Sequence, residues 1–574
     1  MKTFYTTGLF VLICFSAIGQ ITFSNNATSL GINHTCGTPY LGSGVSFYDF
    51  DNDGWDDLSF ASDDGQEIVF YKNNNGVFNL IDLNLPTLNR PTKQINWVDI
   101  DNDGDKDLFV TSNTQGNKLF ENTGNLSFND ITASSGLHTQ NIFTNGAAWG
   151  DYDNDGYLDL YLSNKDITTA TTTPNYLFKN NGDGTFTNVS ISAGIDPFKH
   201  QTFCSVFLDI NNDGWLDIYS STDKAYILNQ LYRNNGDGTF SDISAFSNTD
   251  LAFNAMTTTV GDYNNDGWID IYVTNTGNSA LLLNNGNETF TDMAVATGCE
   301  FGSTGWGAIF LDVDNDTDLD LYVSGSLYLN PVLNSAAFYE QSNGNFSIPS
   351  SAGFYNDEFN SYCNAIGDIN NDGFPDFVVT NSSDQNICIW SNETTSSNNW
   401  LKINLEGTLS NRDAIGSKIE ISINGEKQFR FTHCGEGYMS QNSGSEFFGL
   451  GTHAQADYVK ILWPSGAQDI FYNVNANQTL NITEGDSLLS VQELNAPSLS
   501  IYPNPVGNQL FISSRSHSDI KSISISDLKG KHIFEVQNGS NIESLDVSQL
   551  ESGMYLISIV THQSSSTVFK FIKN

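Results

Sequence analysis

Basic residues are scarce in this chain: 23 Lys and Arg face 66 Asp and Glu in 574 residues, for a formal net charge of −43. Without a basic surface to neutralise phosphates, nucleic acid is excluded as a partner. Anionic membranes are disfavoured for the same reason. Long apolar runs are also missing, so nothing reaches the roughly 18 apolar residues of a transmembrane helix. The eight histidines are scattered, and none pairs with a Cys or another His at zinc spacing. There is no Gly-x-Ser-x-Gly elbow, no His-Glu-x-x-His, no phosphate-cradling loop and no dinucleotide fingerprint. Catalysis therefore has no signature, although residues distant in sequence can still assemble a site that spacing does not reveal.

Cysteine is sparse as well. Cys14 falls in residues 1–19, which read as a secretory signal peptide: Lys2, a short apolar core from Leu9 to Ile18, and Ala17-Ile18-Gly19 before Gln20. The mature chain is expected to be exported. It keeps Cys36, Cys204, Cys299, Cys363, Cys388 and Cys434, and the spacing chooses neither a disulfide pairing nor buried thiols.

What the chain has in abundance is one acidic loop. Asp49-Phe50-Asp51-Asn52-Asp53-Gly54-Trp55-Asp56-Asp57-Leu58 sets acidic side chains at positions 1, 3, 5 and 9 and Gly at 6. Near-copies start at Asp99, Asp151, Asp209, Asp262, Asp312 and Asp368, at intervals of 50, 52, 58, 53, 50 and 56 residues. Even spacing marks an internal repeat. Oxygen donors at alternate positions, turned by a glycine, suit a hard cation, and calcium suits them better than magnesium, which keeps more of its water. The expected ligands are Asp49, Asp51, Asp53 and Asp57; Asp99, Asp101, Asp103 and Asp107; Asp151, Asp153, Asp155 and Asp159; Asp209, Asn211, Asp213 and Asp217; Asp262, Asn264, Asp266 and Asp270; Asp312, Asp314, Asp316 and Asp320; and Asp368, Asn370, Asp372 and Asp376. Up to seven calcium ions are implied, against the alternative of ion-free Asx-rich turns. The sixth site is the least secure, because Thr317 replaces Gly and a β-branched residue resists a left-handed backbone.

EF-hands are excluded. Their loops end in a bidentate Glu at position 12, and here that position is Phe60, Val110, Leu162, Ser220, Val273, Val323 or Val379. The flanks are short β-branched and aromatic runs, so each loop joins strand to strand. Segments such as Tyr176-Leu177-Phe178-Lys179-Asn180-Asn181-Gly182-Asp183-Gly184-Thr185-Phe186 add a hairpin. Four strands per repeat predict an all-β, seven-bladed β-propeller, with an open β-solenoid as the alternative. The seventh repeat lacks its outer strand. Residues 21–27 are expected to supply it, pairing near Asn386–Trp390, rather than to form a loose tail.

These repeats resemble the FG-GAP/VCBS repeats of integrin-type propellers over residues 20–397, and the resemblance implies calcium on loops at one rim, with the position 7 carbonyl as a further ligand. Residues 398–485 carry Asn411-Arg412-Asp413-Ala414-Ile415-Gly416, Gly437-Tyr438-Met439-Ser440-Gln441, Phe448-Gly449-Leu450-Gly451 and Trp463-Pro464-Ser465-Gly466. In that order they resemble the ASPIC/UnbV domain of cartilage acidic protein-like proteins, expected to be a small β-sandwich. Arg412, Asp413 and Tyr438 either form a polar site there or support a loop. After a linker at 486–497, residues 498–574 open with Ile501-Tyr502-Pro503-Asn504-Pro505 and resemble the C-terminal sorting domain of type IX secretion, with an ordinary Ig-like domain as the alternative. That resemblance implies passage across an outer membrane, then release or surface attachment.

The function expected from all this is a calcium-binding, non-catalytic adhesion or binding protein for an extracellular glycan or protein. The alternative is a calcium-dependent polysaccharide lyase or hydrolase.

Overall fold

The computed structural model describes residues 20–574 apart from 87, 89, 138–141, 166–173, 199–200, 327–335, 351, 355–356, 358, 383, 490–499, 514–519, 528–530, 538–543 and 562–565. The expected signal peptide, residues 1–19, and most of the expected linker lie outside the described residues. The chain divides into two compact units, 1–488 and 489–574.

In the third repeat the strands Thr144–Gly150, Asp159–Asn164, Tyr176–Asn180 and Phe186–Asn188 pair antiparallel in sequence order. The Asp-rich loop joins the first to the second. Every residue of the first two strands is buried, whereas the outer strand buries only Phe186. The inner strands are covered on both faces: Ala147, Ala148, Trp149, Leu160, Tyr161 and Leu162 supply the apolar contacts and buried Thr144 donates to Asn164 (2.8 Å), while the outer strand is anchored by one aromatic. Among the described residues, seven four-stranded arrangements of this kind follow one another. The fifth and sixth are joined by a short pairing of Thr276–Gly277 with Ser303–Thr304.

The seventh sheet is completed from the other end of the sequence. Phe23–Asn25 pairs antiparallel with Cys388–Asn392, Phe23 opposite Asn392 and Asn25 opposite Trp390. Phe23 packs against Phe338, Phe354 and Phe377. Gly353, at φ +102°, lies so close to Phe23 that a Cβ would stand 2.2 Å from its carbonyl oxygen. Residues 21–27 thus supply the missing outer strand, and Trp400–Ile403 pairs in another sheet.

Residues 399–483 form two sheets. Asn399–Glu406 lies between Ser445–Gly451 and Gln478–Thr483, and Lys418–Ile423 lies between Glu426–Phe431 and Gln455–Leu462, with Gln468–Asn475 outside. Ile403, Ile419, Ile421, Phe448, Leu450, Val459 and Ile461 fill the shared core, so the expected sandwich is present. It is not a separate body, however, because 20–397 and this sandwich share one compact unit. The second unit has a core of its own, built on Leu510, Ile523, Ile525, Ile557 and Phe571. Cys36, Cys204, Cys299, Cys363, Cys388 and Cys434 are all free and buried. Among the described residues no helix is long and apolar enough to cross a membrane.

Candidate metal centre

Each Asp-rich loop is held by its own carboxylates. In the first, Asp49 accepts from the backbone N–H of Asp53 (3.0 Å) and Gly54 (2.7 Å), and Asp53 accepts from Trp55 (3.1 Å). Asp57 accepts from Phe50 (3.3 Å) and, across the sheet, from Asn73 on the third strand (2.7 Å). The position 1 pattern recurs at Asp99, Asp151, Asp209, Asp262, Asp312 and Asp368. The third-strand bond recurs at Asp107, Asp159, Asp217, Asp270, Asp320 and Asp376. Thr317 sits at φ +92°, in the left-handed region expected to resist it, and its N–H still bonds Asp312 at 3.0 Å. The sixth loop thus keeps the common frame.

The predicted donors are brought together most tightly where position 3 is Asp. Carboxylate oxygens of Asp49, Asp51 and Asp53, of Asp99, Asp101 and Asp107, of Asp151, Asp153 and Asp159, and of Asp312, Asp314 and Asp316 lie within 4.8 Å of one another. In the other three copies the position 3 amide donates to position 5: Asn211 to Asp213 (3.0 Å), Asn264 to Asp266 (2.9 Å) and Asn370 to Asp372 (2.8 Å). Asp51 Oδ1 and Asp153 Oδ1 are buried without a hydrogen-bond partner. A set of carboxylate and amide oxygens with orphaned acceptors fits a hard cation, and these are the residues that would hold it.

Burial makes the carboxylates reluctant to ionise by themselves. It lifts Asp57 to about 9, Asp107 to about 8, Asp99, Asp151 and Asp314 to about 7, and Asp49, Asp262 and Asp316 to about 6. Asp159, Asp217, Asp270, Asp312, Asp320 and Asp376 are raised well above the ordinary range for the same reason. A nearby cation reverses that preference.

Position 4 carries the residue that spacing arguments passed over. It is Asn in every copy: Asn52, Asn102, Asn154, Asn212, Asn265, Asn315 and Asn371. All seven adopt positive φ, between 54° and 62°, as Asn tolerates better than most residues. Each side-chain amide donates to the position 6 carbonyl of the next loop: Asn52 to Gly104 (3.0 Å), Asn102 to Gly156 (2.8 Å), Asn154 to Gly214 (3.0 Å), Asn212 to Gly267 (3.2 Å), Asn265 to Thr317 (3.2 Å), Asn315 to Gly373 (3.2 Å) and Asn371 to Gly54 (3.0 Å). The last bond returns to the first loop, so the loops form a closed ring. The invariant Asn at position 4 was the available sequence signal.

The sandwich lies on this ring. Asp413 accepts from the Asp99 N–H at 2.9 Å and pairs with Lys106, and the Arg412 N–H donates to Asn102 at 2.9 Å. Lys402 donates to Asn371 (2.7 Å) and Lys418 to Asn212 (2.8 Å). Gly449 approaches so closely that a Cβ would stand 2.2 Å from Asp312 Oδ2. Residues 433–443 leave the sandwich and enter the centre of the sheets. His433 Nδ1 bonds Phe207 O (3.0 Å), Trp149 N–H donates to Cys434 O (3.0 Å), and Gly437 N–H donates to Thr258 O (3.1 Å). Ser440–Gln441 pairs parallel with Val45–Ser46, Gln441 bridges Trp97 N and O, and Ser443 N–H reaches Ile366 O. Tyr438, fully buried, packs its ring tilted against Trp306, centroids 5.2 Å apart, and donates to Leu41 O. One segment therefore touches the first strand of all seven sheets. Arg412 and Asp413 serve the ring, whereas Tyr438 serves the centre.

Comparison with known proteins agrees with this anatomy. FG-GAP-like repeats match residues 49–110, 99–162, 164–220, 209–273 and 262–323; ASPIC and UnbV matches 407–489; and a secretion system C-terminal sorting domain matches 500–574. The repeat matches end at residue 323, yet Ser361–Gly367 and Asp376–Asn381 carry the seventh loop in the same way. Cartilage acidic protein 1 of Xenopus tropicalis is 25% identical over 396 residues, covering 65% of this chain and 52% of its own length. The Homo sapiens protein of that name is 30% identical over 156 residues, covering 26% and 22%. The chain thus spans about half the length of the first of these relatives. A solved Agrocybe aegerita lectin, described as recognising non-reducing terminal N-acetylglucosamine, is 19% identical with a TM-score of 0.34 over 53% of this chain and 79% of its own. The sorting domain marks the chain for the cell surface or the extracellular space.

Proposed function

From a chain that joins FG-GAP-like repeats to an ASPIC and UnbV domain and a secretion sorting domain, we propose an exported, calcium-stabilised binding protein for an extracellular glycan or protein, without catalytic activity. Calcium would sit in the Asp-rich loops and supply the positive charge that their buried carboxylates need. The observation that carries the reading is the filled centre. Residues 433–443 occupy the space between the innermost strands, where a propeller most readily builds a concave active site. Recognition then falls to the loops and to the surface of the sandwich.

A second reading, a calcium-dependent polysaccharide lyase or hydrolase, draws on one feature. A cavity of about 100 Å³ beneath the sandwich is lined by Arg430, His433, Glu436 and Glu446, and Arg430 Nη2, His433 Nε2 and Glu436 Oε2 have no partner there. Those are acid–base groups in a desolvated site. A glycan array with and without calcium, run beside a degradation assay on uronic-acid polymers, separates the two. Calcium-dependent retention of an uncleaved glycan or protein supports the binding role, and chain cleavage overturns it.

A further inference from the structure

The seven loops share a frame but not a charge, and the difference lies on the third strand of each sheet. The residue before the strand's conserved amide is Lys72, Glu121, Lys179, Arg233, Leu283, Glu340 and Ser391 in copies one to seven. Lys72 Nζ pairs with Asp51 and stands 2.8 Å from Asp53. Lys179 Nζ pairs with Asp153 and stands 2.5 Å from Asp155. In both copies an ammonium group rests on the position 3 and 5 carboxylates, beside the orphaned oxygens Asp51 Oδ1 and Asp153 Oδ1. In copies two and six the same place holds Glu121, facing Asp101, and Glu340, facing Asp314 and Asp316. Position 7 adds Asp105 and Asp318 to these two copies, against Trp55 and Tyr157 in copies one and three.

Other cations do not erase this contrast. In copy two Lys106 faces Asp99 but is paired with Asp413, whose own charge also faces Asp99. Arg412 Nε is 4.0 Å from Asp99 but is committed to Glu406 at 2.6 Å, and Arg430 faces Asp312 while also facing Glu446. Lys402 is 3.5 Å from Asp368, and Lys418 faces Asp209 and Asp262, all in copies whose position 3 is Asn.

We infer that the third-strand residue grades the ring into cation sites of different strength: copies two and six bind first, and copies one and three are closed by Lys72 and Lys179, which an incoming cation must displace. The inference rests on the calcium reading of the loops and deepens it. The physical reason is that calcium affinity follows the number of charged ligands, while an ammonium held at contact distance both repels a divalent ion and occupies donors. Displacement breaks no covalent bond, since the lysine stem can swing its charged end into solvent. Thr317 does not remove copy six from the strong class, because its loop keeps the same hydrogen bonds as the glycine loops.

Calorimetric titration of chelator-stripped protein with calcium tests this. Wild type is expected to show a tight class of two sites ahead of the rest. The E121Q/E340Q double variant should weaken that class about tenfold or more. K72M/K179M should shift two weak sites tighter by a similar factor, and K72R/K179R, which keeps the charge, should leave them weak. Circular dichroism of each variant in chelator shows that the fold is retained; a variant that fails it is replaced by the single substitutions. A wild-type titration with no binding overturns the calcium reading itself. Binding in a single class that no variant moves overturns only the grading.

Discussion

Asn371 Nδ2 donates to the carbonyl oxygen of Gly54 at 3.0 Å, joining residues 317 apart in sequence and closing the ring of loops. The other six bonds of the ring link neighbours in sequence order; this one links last to first. Asn371→Gly keeps the positive φ and removes the donor, and is expected to cost about 1–2 kcal/mol. Denaturant midpoints with and without the substitution measure it, and unchanged midpoints would show that the closing bond carries no stability.

Removing calcium should destabilise the protein. Buried loop carboxylates crowd one another and disfavour one another's ionisation, so cation binding is expected to appear as folding free energy. Chelation is expected to lower the melting temperature, and calcium to restore it better than magnesium. A melting curve indifferent to chelator would sink the calcium reading.

The central segment should bind the repeats and the sandwich into one cooperative body. Gly435, at φ +89°, leaves no room for a side chain, because a Cβ would stand 2.0 Å from Ala147 O. Gly435→Ala is expected to cost about 3 kcal/mol or more through strain and overpacking. Scanning calorimetry should show the repeats and the sandwich melting together and earlier. Two separate transitions, with the repeats unaffected, would show that the segment is only draped on its neighbours.

Acid should weaken the calcium-loaded protein partly through two histidines. Burial holds His433 and His34 neutral, at about 4, whereas in the unfolded chain they titrate near 6.5. Between those values the unfolded chain binds more protons. Stability is therefore full above about pH 6.5 and lost as pH falls toward 4. His433→Gln, whose amide can still donate to Phe207 O, should flatten that loss in melting temperatures taken across the window. An unchanged slope would remove His433 from the account.

Truncation after Pro497 should leave the first unit folded, since residues 489–574 have their own core. The truncated protein is expected to miss the cell surface, as cell fractionation and surface labelling would report. Normal display without residues 498–574 would assign this unit another role.

The loops and their strand–loop–strand setting were legible in sequence because they are local. Asp49 bonds Asp53 and Gly54 within five residues, and each copy repeats the same short-range pattern. The N-terminal strand could also be placed, because the repeat left one strand missing and one spare. Position 4 was written in all seven copies, yet its meaning needed coordinates, since its partner lies in the next repeat at no fixed offset. The route of residues 433–443 was decided by tertiary structure alone. Those residues occur once, follow no period, and hydrogen-bond to six of the seven first strands while Tyr438 packs on the remaining one, with partners such as Trp97 and Trp149 hundreds of residues away. The position of Asp413 over Asp99 is of the same kind. A sequence records the periodicity that local hydrogen bonding imposes. Which surfaces then cover one another depends on the burial of polar and apolar groups across the whole fold, and no spacing encodes it.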